Sequence, residues 1–192
     1  MKKLVLIITV AFVAVFSANA QVEKSEVITV TAKLNTTMAL DLATDDIVFE
    51  FNTLDDYKNG LGGIEGDYAS QGSVSSTSNW KLSYKANSAF THADGITTMP
   101  LDNVGLTAVF SGSNSVQNAT AEKALPLSAD RTEIIGHDGV NSNAGDYEDN
   151  SFIIYWEMGT KNGEMNNKSL FQQDLKKGVY NTEVEFIASE VL

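Results

Sequence analysis

Residues 80–86 read Trp80-Lys81-Leu82-Ser83-Tyr84-Lys85-Ala86. Large or apolar side chains at every second position, separated by Lys, Ser and Lys, give the period of a strand with one buried and one wet face. The same period recurs on both sides of this stretch. Upstream, Ile47, Phe49 and Phe51 alternate with Val48 and Glu50. Downstream, Leu106, Ala108 and Phe110 form another run, and Phe152, Ile154, Trp156 and Met158 share one face opposite Ile153, Tyr155 and Glu157. Towards the end, Tyr180, Thr182, Val184, Phe186 and Ala188 face one way, and Asn181, Glu183 and Glu185 the other. Residues 22–34, centred on Val27-Ile28-Thr29-Val30-Thr31, are rich in β-branched side chains and read as the domain's own first strand. Six or more strands without a long helical period predict an all-β fold, an immunoglobulin-like antiparallel β-sandwich.

Two short helical turns are expected between the strands. Thr53 is placed to cap Leu54-Asp55-Asp56-Tyr57, whose acids suit the N-terminal dipole, with Gly60 ending the turn. Ser169 and Gln172 have capping-box spacing, Phe171 and Leu175 lie four apart, and Lys176, Lys177 and Gly178 suit a helix C-terminus. Residues 60–71, 111–122, 136–150 and 159–168 are long polar stretches of Gly, Asn, Ser and Asp, the composition of turns and loops.

Residues 1–20 have the form of a secretory signal peptide. Lys2 and Lys3 precede the apolar run 4–16, and Ala18-Asn19-Ala20 is a small-residue cleavage site. The mature chain is then expected to begin at Gln21, with residues 21–192 forming a single secreted β-sandwich domain at the cell surface or in the periplasm. No cysteine follows the cleavage site, so a bacterial lipid anchor is not expected there. No second apolar run reaches the length of a membrane span, and no sorting signal closes the chain, so attachment is expected to be non-covalent. With Cys at 0, stability must come from an ordinary apolar core rather than disulfides. Beyond residue 20, 11 basic residues face 25 acidic ones, a balance that repels phosphate backbones and excludes nucleic acid as an expected partner.

Signals for catalysis are sparse. His92 and His137 both sit in polar, turn-like surroundings, and no nucleophile elbow or zinc motif is present. The pairs Asp45-Asp46 and Asp55-Asp56 fall at expected turns, where Asp bonds the local backbone. No enzyme activity and no obligatory cofactor are expected. Calcium is the better inorganic candidate: Asp138, Asn141, Asn143 and Asp146 place hard oxygen donors in one Gly-containing loop, although Val140 breaks the EF-hand spacing. For recognition, Trp80, Leu82 and Trp156 are the candidates, since an aromatic face can stack on a sugar or peptide. Their alternation with Leu82 and Ile154 reads equally as core packing, the commoner fate of such residues.

Trp80-Lys81-Leu82 after a Ser/Thr/Gly stretch, Trp156 before Gly159, and the closing run Gly178-Val179-Tyr180 to Phe186 together resemble WxL-type bacterial surface domains. That resemblance covers about residues 47–192 and implies a non-catalytic β-sandwich that binds a cell-wall polymer or another surface component. At the second W-x-L position the chain has Trp156-Glu157-Met158. The same closing Gly-x-Tyr strand is similar to secreted pilin and spore-coat-like subunits, which implies self-association into a surface fibre by strand addition, with residues 21–31 as donor. A wall-associated binding module is thus the first expectation, and a fibre subunit the alternative.

Overall fold

The structure, a computed structural model, describes Glu26 and residues 28–43, 46–64, 66–118 and 123–191. The signal-peptide reading of residues 1–20 lies outside them. The chain divides into two units, Met1–Leu34 and Asn35–Leu192. In the first, Glu26 and residues 28–34 have no helix or strand, and their side chains are exposed. This corrects the expectation of a first strand there. Residues 28–34 enter no sheet among the described residues, and the first strand of the second unit is instead β1 (Met38–Leu42). β-branched composition permits an extended backbone, but an extended backbone becomes a strand only where a partner's N–H and C=O groups meet it in register.

In the second unit, β1 is followed by helix α1 (Leu54–Asn59), β2 (Leu61–Gly62), β3 (Ala69–Ser76) and β4 (Trp80–Ala86). Next come β5 (Phe90–His92), β6 (Thr98–Met99), β7 (Val104–Phe110), β8 (Val116–Gln117) and β9 (Leu125–Pro126). β10 (Thr132–His137), β11 (Ser151–Met158), β12 (Tyr180–Asn181) and β13 (Val184–Glu190) complete the set, with single 3-10 turns at Leu101–Asn103 and Leu170–Gln172. Among the described residues these strands form three sheets. The largest runs β1-β3-β11-β7-β9 with β2 also on β11, the second runs β13-β4-β10-β8, and a small one runs β12-β5-β6. Every pairing is antiparallel. The fold is an all-β sandwich.

The alternation in the sequence decides which faces meet. On β4, Trp80, Leu82, Tyr84 and Ala86 are buried, while Lys81 and Lys85 reach Glu133 and Glu185 on the flanking strands at 3.5 and 3.1 Å. Those ion pairs are half exposed and weak, so burial is what holds the strand. On β11, Phe152, Ile154, Trp156 and Met158 turn inward, and the strand pairs with β7 from Phe152↔Phe110 to Met158↔Val104. These side chains, with Val74, Leu106, Ile134 and Ile135, form one core. At roughly 1.5–3 kcal/mol for each large apolar side chain removed from water, this core supplies most of the driving force for folding.

Both expected turns are present, one longer than the other. Thr53 caps α1 by accepting from the Asp56 N–H at 3.1 Å, while Asp56 Oδ2 accepts from the Asn52 and Thr53 N–H groups at 2.8 Å each. The Ser169/Gln172 capping box also forms, but its turn ends at Gln172. Lys176 and Lys177 therefore close no helix, and Gly178 serves a different purpose, described below.

Candidate functional site

Phe186 on β13 shows where the sandwich is incomplete. Its ring lies 6.2 Å from Tyr84 and, edge-on, 6.0 Å from Trp156, yet Val184, Phe186, Ile187 and Ala188 are only half-buried. β13 pairs with β4 on one side and is the last strand of its sheet among the described residues. Beside it lies a groove of about 880 Å³. Buried Met99, Val104, Leu127, Trp156 and Met158 make its floor, and Val184, Phe186, Tyr180 and Leu175 line it with residues 46–51.

Residues 46–51 carry the alternation that the sequence showed. Ile47, Phe49 and Phe51 are half-buried and Val48 and Glu50 exposed. Phe49 packs on Tyr68 at 4.5 Å between centroids and Phe51 on Tyr57 at 5.4 Å. Both ends are fixed. The N–H of Ala43 bonds the Gln71 carbonyl at 2.8 Å, and Asn52 and Thr53 are tied to Asp56. In between, none of the peptide groups of residues 46–51 bonds another described residue's peptide group. An extended run whose side chains are anchored while its N–H and C=O groups lack a ladder has the chemistry of a free strand edge.

Rim charges and hydroxyls complete the site. Asp46, Glu50 and Glu183 line the groove, as do Lys176 and Lys177. Three of the hydroxyls lining it hold the fold: Tyr180 donates to the Lys176 carbonyl at 2.9 Å, Thr182 donates to the Ser88 carbonyl at 2.7 Å, and Ser70 accepts from Trp156 Nε1 at 3.1 Å.

His92 adjoins this region through the small sheet, where it pairs with Tyr180. Its Nδ1 accepts from the Asp94 N–H at 3.1 Å, so the neutral ring carries its proton on Nε2, 3.2 Å from the Lys177 carbonyl. The Asp94 carboxylate also lies 3.2 Å from Nδ1. Lys176 at 2.7 Å, and then the N–H groups of Thr97 and Ile96, hold the Asp94 carboxyl well below the usual carboxylate range. Both ring nitrogens therefore close turns. Gly178 belongs to the same cluster: at φ +148° it lies against the His92 ring, where a side chain would overlap it. His137 is similarly engaged, accepting from the Gly139 N–H at 3.1 Å and meeting the Asn141 carbonyl at 2.7 Å.

The residues singled out for recognition separate in the structure. Trp80 and Leu82 are wholly buried, in keeping with the core alternative, and neither presents a face to solvent. Trp156 is the one that reaches a cavity, on the groove floor. Of the four residues considered for calcium, Asp138, Asn143 and Asp146 use side-chain oxygens in bonds within the protein, and Asn141 donates its side-chain amide to Asp138. Asp138 accepts from the Val140 and Asn141 N–H groups at 2.8 Å each and from Asn141 Nδ2 at 2.9 Å, and these bonds lower its pKa. Asn143 is fully buried against Trp80, and Asp146 accepts from the Glu148 N–H at 3.0 Å. Among the described residues, no three His, Asp or Glu side chains are grouped to hold a metal ion. Among them, too, no helix is long and apolar enough to cross a membrane.

The sequence reading did not identify Met99, Leu175, Tyr180 or Phe186 as neighbours in a groove. The available signal was the alternating run at 47–51, read there as an ordinary paired strand. No protein-family model matches this sequence, and no curated protein matches it.

Proposed function

We propose that this chain is a non-catalytic structural subunit, exported to the cell surface, that works by receiving an extended β-strand in the groove between residues 46–51 and β13. The observation that carries this reading is the run 46–51, whose peptide groups bond no other described residue's peptide group, beside the part of β13 that carries Val184 and Phe186. A strand laid there would supply the missing hydrogen-bond ladder and cover the half-buried Val184 and Phe186 in one step. The immunoglobulin-like description of the sandwich belongs to the same reading, with the groove as the place of an absent strand.

Attachment to a cell-wall polymer is the second reading. It is favoured by the aromatic lining, since Phe49, Phe51, Tyr57, Tyr180 and Trp156 offer ring faces on which sugars stack. Amide hydrogen exchange separates the two. With saturating alternating Val/Thr peptides, slowed exchange at residues 47–51 and 184–190 supports strand receipt. Slowing there by soluble wall fragments and not by peptides overturns it in favour of wall attachment.

A further inference from the structure

We propose that Asn162 is a site of spontaneous deamidation, and that its conversion to a carboxylate unseats the loop covering the outer face of β7 and β11. The inference is independent of the groove, because β11 turns Trp156 and Met158 towards the groove and Glu157 to the opposite face. On that face Glu157 is only 3% exposed. Its carboxylate accepts from the Thr160 hydroxyl and, at 3.0 Å, from Asn162 Nδ2. None of the ion pairs among the described residues includes it. A buried carboxylate held by neutral donors alone depends on each of them.

The tripeptide Lys-Asn-Gly occurs at both 58–60 and 161–163, and the fold treats the two copies differently. At the first, the Gly60 N–H donates to the Asp56 carbonyl at 2.8 Å, which closes α1 and engages the nitrogen. At the second, Asn162 is exposed, and the Gly163 N–H donates to no backbone carbonyl of a described residue. No side chain shields that nitrogen: at φ +57° Gly163 lies so close to the Ala124 peptide that a Cβ would overlap it. The Gly163 nitrogen can therefore attack the Asn162 side-chain carbonyl carbon. The Cγ–Nδ2 bond breaks, the attacking nitrogen's proton leaves with Nδ2 as ammonia, and a cyclic imide remains. Water then opens the ring at either carbonyl, giving aspartate or iso-aspartate. The aspartate product sets a second carboxylate against Glu157 in place of a donor, and the iso-aspartate product reroutes the backbone of the turn. Two carboxylates in one buried site share a proton or move apart. Moving apart lifts the turn 162–165, which the Met165 N–H closes on the Asn162 carbonyl at 3.1 Å and which seats Met165 over Gly105 of β7.

The repeated tripeptide supplies its own control. In urea the two asparagines have the same immediate neighbours and should convert at similar rates. In the folded full chain, held in mildly alkaline buffer, peptide mapping by mass spectrometry should show Asn162 converting about tenfold faster than Asn59, since Gly60 must first give up its hydrogen bond. Equal conversion, or faster conversion of Asn59, overturns the proposal. So does an Asn162 that stays intact while the urea sample converts. This arm uses no variant, so it decides even where a variant fails to fold. The consequence is read from Asn162→Asp, which should lower the urea midpoint, and by more in mild alkali than in mild acid, where the pair can share a proton. In a Glu157→Gln background the same substitution should cost less than half as much, because the new carboxylate then meets an amide. An unchanged midpoint in the parent chain, or an equal loss in both backgrounds, overturns the coupling to Glu157.

Discussion

Asn143 and Trp80 hold each other through three buried hydrogen bonds. Asn143 Oδ1 accepts from the Trp80 N–H at 3.0 Å, its Nδ2 donates to the Trp80 carbonyl at 2.9 Å, and Trp80 Nε1 donates to the Asn143 carbonyl at 2.8 Å. The amide side chain thus imitates a neighbouring strand at the start of β4 and ties the loop 138–150 to the core. Asn143→Ala removes two of these bonds and leaves the Trp80 N–H and C=O buried without partners. The expected loss is about 2–6 kcal/mol, at roughly 1–3 kcal/mol for each of the two orphaned groups. Urea unfolding should show a lower midpoint with an unchanged slope. A loss below about 1 kcal/mol would mean that water reaches the site and that the bonds are dispensable.

The cap at Thr53 should matter to the groove as well as to the helix. Thr53→Ala removes the bond to the Asp56 N–H, a change expected to cost about 1 kcal/mol. Because Asn52 and Thr53 fix one end of residues 46–51, fraying α1 should also free that run. In the parent chain, amides 47–51 should exchange quickly, since no backbone ladder protects them, whereas β7 and β11 exchange slowly. In the variant, the Phe51–Tyr57 contact should loosen, seen as a change in the Phe51 and Tyr57 ring signals by NMR. Unchanged ring signals would show that the aromatic contact, not the cap, fixes the segment.

These two sites also show what could be read from the sequence. The Thr53 cap was legible because capping is local: the residue types and their spacing are the mechanism. The buried faces of β4 and β11 were legible because period two survives any choice of partner strand. Asn143 was legible as a polar residue but not as a strand mimic, since its partner lies 63 positions away. For the same reason, residues 28–34 and 47–51 were both read as strands. Each has the composition, but whether a strand pairs depends on which edge is free, and that is a property of the assembled sheet. The groove was hidden because its lining comes from many separate elements, with nothing local to announce that they meet.

Acid should destabilise the sandwich through a few carboxylates. Lys176, and then the Thr97 and Ile96 amides, depress the Asp94 pKa, and the Val140 and Asn141 amides depress that of Asp138. The unfolded chain, where Asp titrates near 3.9, therefore binds protons at a higher pH than the folded chain. Their stabilisation is complete above that value and is lost as pH falls through the lower folded-state values. The urea midpoint should thus hold between pH 7 and about 5 and fall steadily below about 4. Asp94→Asn should lower the midpoint at pH 7 and make its acid slope shallower. Added salt should reduce the Lys176 share, since that pair is solvent-exposed. Parallel midpoint curves for parent and variant would remove Asp94 from the account.

Gly178 and Gly95 form a matched pair that isolates the His92 contact. Both have positive φ, +148° and +75°, so Ala is strained at either. At Gly95 a Cβ meets nothing within 4 Å, whereas at Gly178 it would overlap the His92 ring. Gly95→Ala should therefore cost about 1 kcal/mol, the ordinary penalty for this backbone region. Gly178→Ala should cost more, by about 1–3 kcal/mol for overpacking. It should also displace residues 175–183 along the groove, altering the emission of Trp156 on its floor while Trp80 stays unchanged. Combining Gly178→Ala with His92→Ala removes the overlapping ring and should return part of that excess, although the bonds to Asp94 and Lys177 are lost with it. If the two glycine variants lose stability equally, the His92 ring does not set the path of the groove wall, and backbone strain alone explains both.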